Sequence, residues 1–286
     1  MPTPQPELAI PDCPLFVTER GPHDAPAVLL LHGICASTRY WTERMELLAR
    51  DYHCYIPDLL GHGRSPKPDD IAYNLEDQTN ALAPLLRFIA ASHERPIPLI
   101  CHSMGNLAGL ELKRRHPDQV GIHLATAIPY FPTIEDGHAM VRSLSPVAQL
   151  TISDPWWATH VMDLARTTQG KLGYEWFHWA YGLPRDCWED GFAVTWRSLT
   201  GSLHNMILGT NLTELLEAAG TQGLEWWHGT ADASVPYRHA MALHAHFPGI
   251  PLHVIPEGTH NPWVFQNREL QETFAARLER YYRDTT

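Results

Sequence analysis

The sequence predicts an α/β protein in which a mostly parallel central sheet is flanked by helices. In the first and last thirds of the 286 residues, short β-rich apolar runs alternate with longer segments of helical periodicity, which is typical of βαβ units. Between Pro129 and about Leu212 the strand patterns stop, and aromatic residues crowd into helical-looking segments. We therefore predict a core formed by residues 1–128 and 213–286, with residues 129–212 inserted as a helical cap.

The predicted core elements follow one another along the chain. Ala27–His32 is an apolar run typical of a buried central strand, and His53–Pro57 predicts the next strand. Asn74 is a preferred N-cap for a long helix that ends near Ser92. The remaining predicted elements are a helix over Tyr40–Arg50, strands over Ile97–Cys101, Gly121–Ile128, Leu224–His228 and Leu252–Ile255, a helix that follows Ser103 and ends near His116, and a C-terminal helix over Asn261–Arg283.

A candidate nucleophile stands where a strand pattern changes directly to a helix pattern. Ser103 follows the run Ile97–Cys101 and precedes Met104 and Gly105. A serine hydroxyl is a weak nucleophile at neutral pH, so chemistry there requires a sharp turn that exposes Oγ beside a general base. The usual motif is G-x-S-x-G, and Cys101 replaces its first glycine, where a small side chain is needed. On its own, the pattern also fits a serine that caps a helix.

An oxyanion hole has candidates at two predicted strand ends. Gly33 allows a tight turn after the strand that ends near His32, and this turn would direct the Ile34 backbone N–H into a cleft. The Met104 N–H, at the start of the helix after Ser103, is the second candidate donor.

A general base and an orienting acid also follow predicted strands. Asp232 lies just beyond the strand Leu224–His228, and His260 lies in the loop after the last strand. The chain order Ser103, Asp232, His260 is the order found with the G-x-S-x-G motif rather than with the chymotrypsin or subtilisin arrangements. Other acid candidates remain open at this point, namely Asp136, Asp154 and Asp163.

Together these motifs resemble those of the α/β-hydrolase superfamily, in its cap-bearing form that includes serine esterases and lipases. The resemblance runs from about Leu15 to Tyr282, with the cap as its divergent part, and it departs from the family pattern at Cys101 and Asn106. It implies an α/β-hydrolase fold and a triad of Ser103, Asp232 and His260. The matching motifs are the turn His32-Gly33, the loop Asp58–Ser65, the elbow Cys101–Gly105, the acid loop Gly229–Pro236 and the base loop Gly258–His260.

The predicted activity is hydrolysis of a carboxylic ester through an acyl-enzyme intermediate. An aromatic cap favours a hydrophobic or aromatic small-molecule substrate, since apolar pockets bury most of their ligand. Substrate-binding candidates are His32, Gly33, Cys35, His102, Trp156, Trp157, Trp179 and Trp263.

Several other functions stay open. C–C bond, amide and thioester hydrolases and acyltransferases share the implied fold, and a non-catalytic receptor is a further alternative. Dehalogenase-like and epoxide-hydrolase-like chemistry is disfavoured, because those relatives carry an aspartate at the nucleophile position.

Composition excludes other classes of partner. With 32 acidic and 21 basic residues, the chain has a formal charge of −11, which argues against nucleic acid and anionic membranes. No H-E-x-x-H motif or closely spaced metal-ligating set occurs in the sequence, so we expect no metal and no cofactor. Five scattered cysteines and an N-terminus without a signal-peptide pattern predict a cytoplasmic protein without a membrane span. We expect a monomer or a homodimer.

Overall fold

Seven strands form one sheet at the centre of the computed structural model, which describes residues 7–42, 44–93, 95–144, 146–167 and 184–284. Its strands are Val17–Arg20 (β1), Ala27–Leu31 (β2), His53–Pro57 (β3), Ile97–His102 (β4), Val120–Thr126 (β5), Leu224–Gly229 (β6) and Leu252–Ile255 (β7). They lie in the order β1-β3-β2-β4-β5-β6-β7. The pair β1 and β3 is antiparallel, and the other neighbouring pairs are parallel. The predicted fold class is therefore confirmed.

Helices connect the strands and cover both faces of the sheet. Asn74 caps the third helix as predicted, because its side chain accepts a hydrogen bond from the Asp77 N–H in a capping box. The helices outside the insertion are Arg39–Thr42 (α1), Glu46–Asp51 (α2), Leu75–Ala91 (α3), Met104–Arg115 (α4), Tyr237–His246 (α11), Pro262–Phe265 (α12) and Asn267–Asp284 (α13).

Two helix predictions need correction. The segment Tyr40–Arg50 contains two short helices, α1 and α2, rather than one. The C-terminal helix is likewise divided at Gln266 into α12 and α13. A further difference is β1, a four-residue edge strand that the sequence analysis did not predict because so short a run carries little periodicity.

Residues 129–212, the segment predicted to be an inserted cap and called the insertion below, contain helices and no strand in their described part. The elements of the insertion are Ile134–Ser143 (α5), Pro146–Ser153 (α6), Pro155–Arg166 (α7), Arg185–Gly191 (α8), Trp196–Gly201 (α9), a π-helix over Ser202–Ile207, and Leu212–Ala219 (α10), which extends past its end. Among the described residues, no helix combines the length and apolar character needed to cross a membrane.

The sheet is buried on both faces, as expected for parallel strands covered by helices. Along β2, Leu29 and Leu31 pack into the apolar layer that contains α3 and α4, while Val28 and Leu30 pack into the opposite layer with Trp41. This alternation holds β2 and its neighbour β4 in register, with Leu31 opposite Cys101. The carboxyl ends of the two strands therefore lie side by side.

Candidate active site

Ser103 lies at a sharp turn between β4 and α4. Its backbone has φ 48° and ψ −121°, a conformation that a residue other than glycine adopts only under strain. The following helix packs so closely on β2 that a Cβ at Gly105 would lie 2.5 Å from the Leu31 carbonyl oxygen. The sequence at this turn therefore folds as a strained strand-to-helix elbow that presents the Ser103 hydroxyl.

The two departures from the family motif have structural explanations. Cys101 is fully buried, and Gly109 leaves room for it, since a Cβ at Gly109 would lie 2.9 Å from the Cys101 Sγ. The Asn106 amide donates hydrogen bonds to the carbonyl oxygens of Ser103 and Thr126, at 3.0 and 2.9 Å. His123 Nε2 contacts the Asn106 Oδ1 at 3.2 Å. Asn106 thus hydrogen-bonds the elbow to β5. The small residue that the family often has at this position could not form these bonds.

Two of the predicted site residues, Ser103 and Asp232, each lie within hydrogen-bond distance of a third, His260. The Ser103 Oγ is 3.0 Å from His260 Nε2, and His260 Nδ1 is 2.8 Å from Asp232 Oδ2. With Nδ1 protonated, the imidazole donates to Asp232 and its Nε2 accepts the Ser103 hydroxyl proton. Of the alternative acids, Asp136 and Asp154 instead cap helices α5 and α7.

The Asp232 carboxylate is held in place on several sides. Its Oδ1 accepts hydrogen bonds from the Ser234 and Val235 N–H groups at 2.9 and 2.8 Å. Burial opposes its ionisation, but the charge and hydrogen bond of His260, with the Val235 N–H and the charge of His228, keep the pKa of Asp232 below its ordinary value. Asp232 is therefore an ionised, immobile partner for the imidazole at neutral pH.

A cavity of about 200 Å³ opens beside the Ser103 hydroxyl. Of the predicted substrate-binding residues, Gly33, Cys35 and His102 line it, and Ile34 is also in its wall. Met104 is fully buried, and its N–H lies at the start of α4, where helix N–H groups have no acceptor within the helix. The remaining lining residues are Ala36, Tyr40, Ser103, Asp186, Cys187, Asp190, Gly191, His260 and Asn261.

His102 lies between the cavity and the core. Its ring stacks on Tyr40 at 4.8 Å and lies 5.2 Å from the His260 ring. Burial, together with the nearby His260 and His32, holds the pKa of His102 well below its ordinary value. His102 therefore stays neutral, so it does not oppose a positive charge on His260.

Two carboxylates from α8 form a wall of the cavity that the sequence analysis missed. Asp186 accepts hydrogen bonds from both terminal nitrogens of Arg44, at 2.8 and 3.0 Å. Asp190 accepts a 2.6 Å hydrogen bond from Ser37 and lies 3.5 Å from Arg39. Burial raises the pKa of Asp190 to about 7, although the Ser37 hydrogen bond and the Arg39 charge lower it. The sequence signal that could have found them is their spacing, because two acids four residues apart lie on the same face of a helix.

Other residues predicted to bind substrate lie away from this cavity. His32 is fully buried, where its Nδ1 contacts the Gly33 carbonyl and its Nε2 accepts the Leu59 N–H, so it braces the turn. Trp263 is fully buried against Trp41, and its indole N–H donates to Thr126. The prediction that His32 and Trp263 line the substrate pocket is therefore corrected, because both rings are part of the buried core.

Two of the three tryptophans predicted to bind substrate from the insertion also lie away from this cavity. Trp156 is 66% exposed, with its ring 4.0 Å from His160. Trp157 is half-buried on the same helix, α7, and neither side chain lines the cavity. Trp179 lies outside the described residues.

Comparisons with known proteins agree with the fold. A family model described as "Alpha/beta hydrolase family" matches residues 28–276. The chain is 27% identical, over 269 residues, to a probable lysophospholipase BODYGUARD 4 of Arabidopsis thaliana; the alignment covers 88% of this chain and 63% of that protein. The chain thus spans less than two thirds of the length of this relative.

Solved structures of related fold cover nearly the whole chain. E-2-(acetamidomethylene)succinate hydrolase superposes with a TM-score of 0.71 at 17% identity, covering 93% of this chain and 95% of the other. A thermophilic esterase from Thermogutta terrifontis superposes with a TM-score of 0.68 at 18% identity, covering 98% and 99%. At these identities the likeness concerns the fold alone. Since the family model spans most of the chain, this protein belongs to the alpha/beta hydrolase family.

Proposed function

We propose that the protein is a serine hydrolase that cleaves a carboxylic ester of a hydrophobic or aromatic small molecule. The observation that carries the proposal is the continuous hydrogen-bonded path from Ser103 Oγ through His260 to Asp232. A serine, a base and an ionised acid in this arrangement supply what nucleophilic attack on a carbonyl requires. The likeness to a probable lysophospholipase supports the same reaction class, because a lysophospholipase hydrolyses an ester.

In the proposed mechanism, His260 Nε2 takes the Ser103 proton as Oγ attacks the carbonyl carbon. The Ile34 and Met104 N–H groups stabilise the negative oxygen of the tetrahedral intermediate, and Asp232 stabilises the imidazolium. His260 then protonates the leaving alcohol, which leaves an acyl group on Ser103. A water molecule, activated by the same imidazole, releases the acid and restores the hydroxyl.

The cavity supports a limit on the group that sits next to Ser103. At about 200 Å³, it is smaller than the ~300–1,000 Å³ of pockets that hold drug-sized ligands. Ile34, Ala36 and Tyr40 give it an apolar side. We therefore propose that a short alkyl group or a single aromatic ring occupies it, with any longer chain extending beyond this cavity.

The experiment compares p-nitrophenyl acetate, butyrate, octanoate and benzoate as substrates of the wild type and of Ser103→Ala. We expect measurable wild-type turnover, best for butyrate or benzoate, and a fall in kcat/KM of about 10⁴-fold or more in the variant, as for other serine nucleophiles. Ser92→Ala, at an exposed serine that follows α3, is the matched control and should keep full activity.

Two results would contradict the proposal. Turnover that survives in Ser103→Ala would show that another group performs the chemistry. Absence of turnover in a wild type that is folded by circular dichroism would exclude simple ester hydrolysis and favour the other reactions of this fold. Thioester, amide and β-diketone substrates, and an added acyl acceptor, would then be tested on the same pair of proteins.

A further inference from the structure

A group of three potential metal ligands lies at the opposite end of the parallel strands from Ser103. Glu19 is in β1, His53 is the first residue of β3, and His23 lies in the connection between β1 and β2. Since Ala27, at the start of β2, pairs with His53, this group lies at the amino ends of β2 and β3. The elbow, by contrast, follows the carboxyl end of β4, a parallel strand.

The two oxygens of Glu19 face one imidazole each. Glu19 Oε2 lies 2.9 Å from His53 Nε2, and Glu19 Oε1 lies 3.8 Å from His23 Nδ1. Potential ligand atoms of the three residues all lie within 4.8 Å of one another. In a tetrahedral zinc site with bonds of about 2.0 Å, neighbouring ligand atoms are roughly 3.3 Å apart. The two observed distances lie on either side of that value, so small side-chain rotations would complete the coordination.

The surrounding structure positions two of the three ligands before any ion binds. The His53 side chain is only 4% exposed, and its ring packs 4.3 Å from Tyr55, which lies opposite Glu19 in the ladder. Glu19 and His53 are thus diagonal neighbours on one face of a two-stranded pair. A rigid pair of ligands loses less entropy on binding than two mobile side chains would.

His23 supplies the third ligand and the route from solvent. The turn that precedes it needs Gly21, which has φ +94° and whose Cβ would lie 2.0 Å from the Tyr52 carbonyl oxygen. This turn brings the His23 ring to 5.0 Å from the His53 ring, while its side chain stays 78% exposed. An ion can therefore reach the group from the surface.

We propose that Glu19, His23 and His53 form a binding site for a divalent transition-metal ion of the zinc class, with water as the fourth ligand. Two imidazoles and one carboxylate suit Zn²⁺ better than Mg²⁺ or Ca²⁺, which prefer oxygen ligands. The bound ion links the connection after β1 to the start of β3. The site does not depend on the proposed ester hydrolysis, because none of its residues touches the cavity at Ser103.

Zinc binding is measured by isothermal titration calorimetry of ZnCl₂ into metal-free protein, with MgCl₂ as the comparison ion. We expect a single strong zinc site and no comparable magnesium binding. His23→Ala should weaken zinc binding at least about tenfold, because removal of even an outer-shell partner costs that much. His23 is largely exposed, so the variant should remain folded, and it should hydrolyse esters as the wild type does.

His246→Ala is the matched control. His246 is also an exposed histidine near a carboxylate, 4.0 Å from Glu217. Among the described residues, this pair has no third potential metal ligand beside it. Its loss should leave zinc binding unchanged. Glu19→Gln, which keeps the size of the side chain, should weaken binding as His23→Ala does. Unchanged zinc affinity in His23→Ala, or an equal loss in His246→Ala, would overturn the proposal and show binding by scattered surface histidines.

Discussion

The two sides of the Ser103 cavity are built on different physical principles. On the core side, Gly33, Ser103 and His260 follow the carboxyl ends of strands, whose positions are set by sheet pairing and by two buried apolar layers. On the insertion side, Asp186 and Asp190 are placed by hydrogen bonds and ion pairs to the core, chiefly with Arg44 and Ser37.

The two sides of the cavity should therefore respond differently to substitution. Packed strands should hold the proposed catalytic groups in a fixed geometry, because shifting one strand would disrupt the whole sheet. Contacts through a few charged pairs on one short helix are easier to alter, and they can change without moving Ser103 or His260. Substitutions on the core side should therefore act on the reaction rate, and those on the insertion side on the pH dependence of stability.

The largest effect is expected on the core side, from Asp232→Asn. The variant loses the charge that stabilises the imidazolium and that sets the His260 tautomer, so kcat/KM for the best p-nitrophenyl ester should fall by about 10³- to 10⁴-fold. Asp136→Asn is the control, because Asp136 was an alternative acid and instead caps α5. If Asp136→Asn lost as much activity as Asp232→Asn, the assignment of the acid would be wrong.

An intermediate effect is expected from Asn106→Ala. The substitution removes the amide that bonds the carbonyl oxygens of Ser103 and Thr126, both in a fully buried region. The Ser103 oxygen keeps the Asn106 backbone N–H and the Thr126 oxygen keeps the Ser103 N–H, but the buried His123 Nε2 loses its contact with the Asn106 Oδ1. The lost side-chain hydrogen bonds should cost about 1–3 kcal/mol in the free energy of unfolding, measured by urea denaturation. The loosened elbow should also lower kcat by about 10- to 100-fold.

Asn80→Ala, at an exposed asparagine of α3, is the matched control for that experiment. It should change the free energy of unfolding by no more than about 0.5 kcal/mol and leave kcat unchanged. An Asn106→Ala protein with wild-type stability would show that the hydrogen bonds to the elbow contribute nothing.

The smallest effect is expected on the insertion side, from Asp190→Asn. The pKa of Asp190 is raised to about 7 in the folded protein, so the folded state binds a proton that the unfolded chain does not hold between about pH 4 and 7. The stability of the wild type should therefore fall, relative to the variant, as the pH rises through this range. The difference should be on the order of 1–3 kcal/mol between pH 5 and pH 8.

Thermal unfolding of both proteins at pH 5 and pH 8 measures this difference. The Tm of the wild type minus that of Asp190→Asn should be larger at pH 5 than at pH 8. Asp24, an exposed aspartate outside the helices and strands, provides the control as Asp24→Asn, which should show no such change. Equal differences at the two pH values would contradict the shifted ionisation of Asp190.

Sequence patterns predicted the arrangement of the core well because the signals there are local. An apolar run, a helix cap at Asn74 and a serine between a strand and a helix each depend on a few neighbouring residues. The two short helices within Tyr40–Arg50 were read as one, because periodicity does not register a short interruption. The assignment of catalytic roles to Ser103, Asp232 and His260 stays a prediction until the variants are measured.

The positions of one histidine and one tryptophan show what the sequence could not predict. His32 and Trp263 were expected at the pocket, yet both complete the core. Their residue types suit a pocket wall and a core equally well, since aromatic rings and neutral imidazoles pack in either. Whether such a side chain faces a pocket or the core depends on the direction in which it points. That direction is set by packing against segments that are distant in the chain.

The sequence by itself determined the order of β2 to β7 along the chain, the family, and the short list of candidate reactive groups at strand ends, because those features arise from local periodicity and turn chemistry. The tertiary structure decided which acid contacts His260, that Asp186 and Asp190 reach the cavity, and that Glu19 and His53 meet across β1 and β3. Such contacts join segments far apart in the chain, so they depend on strand order and register, which the whole core sets together.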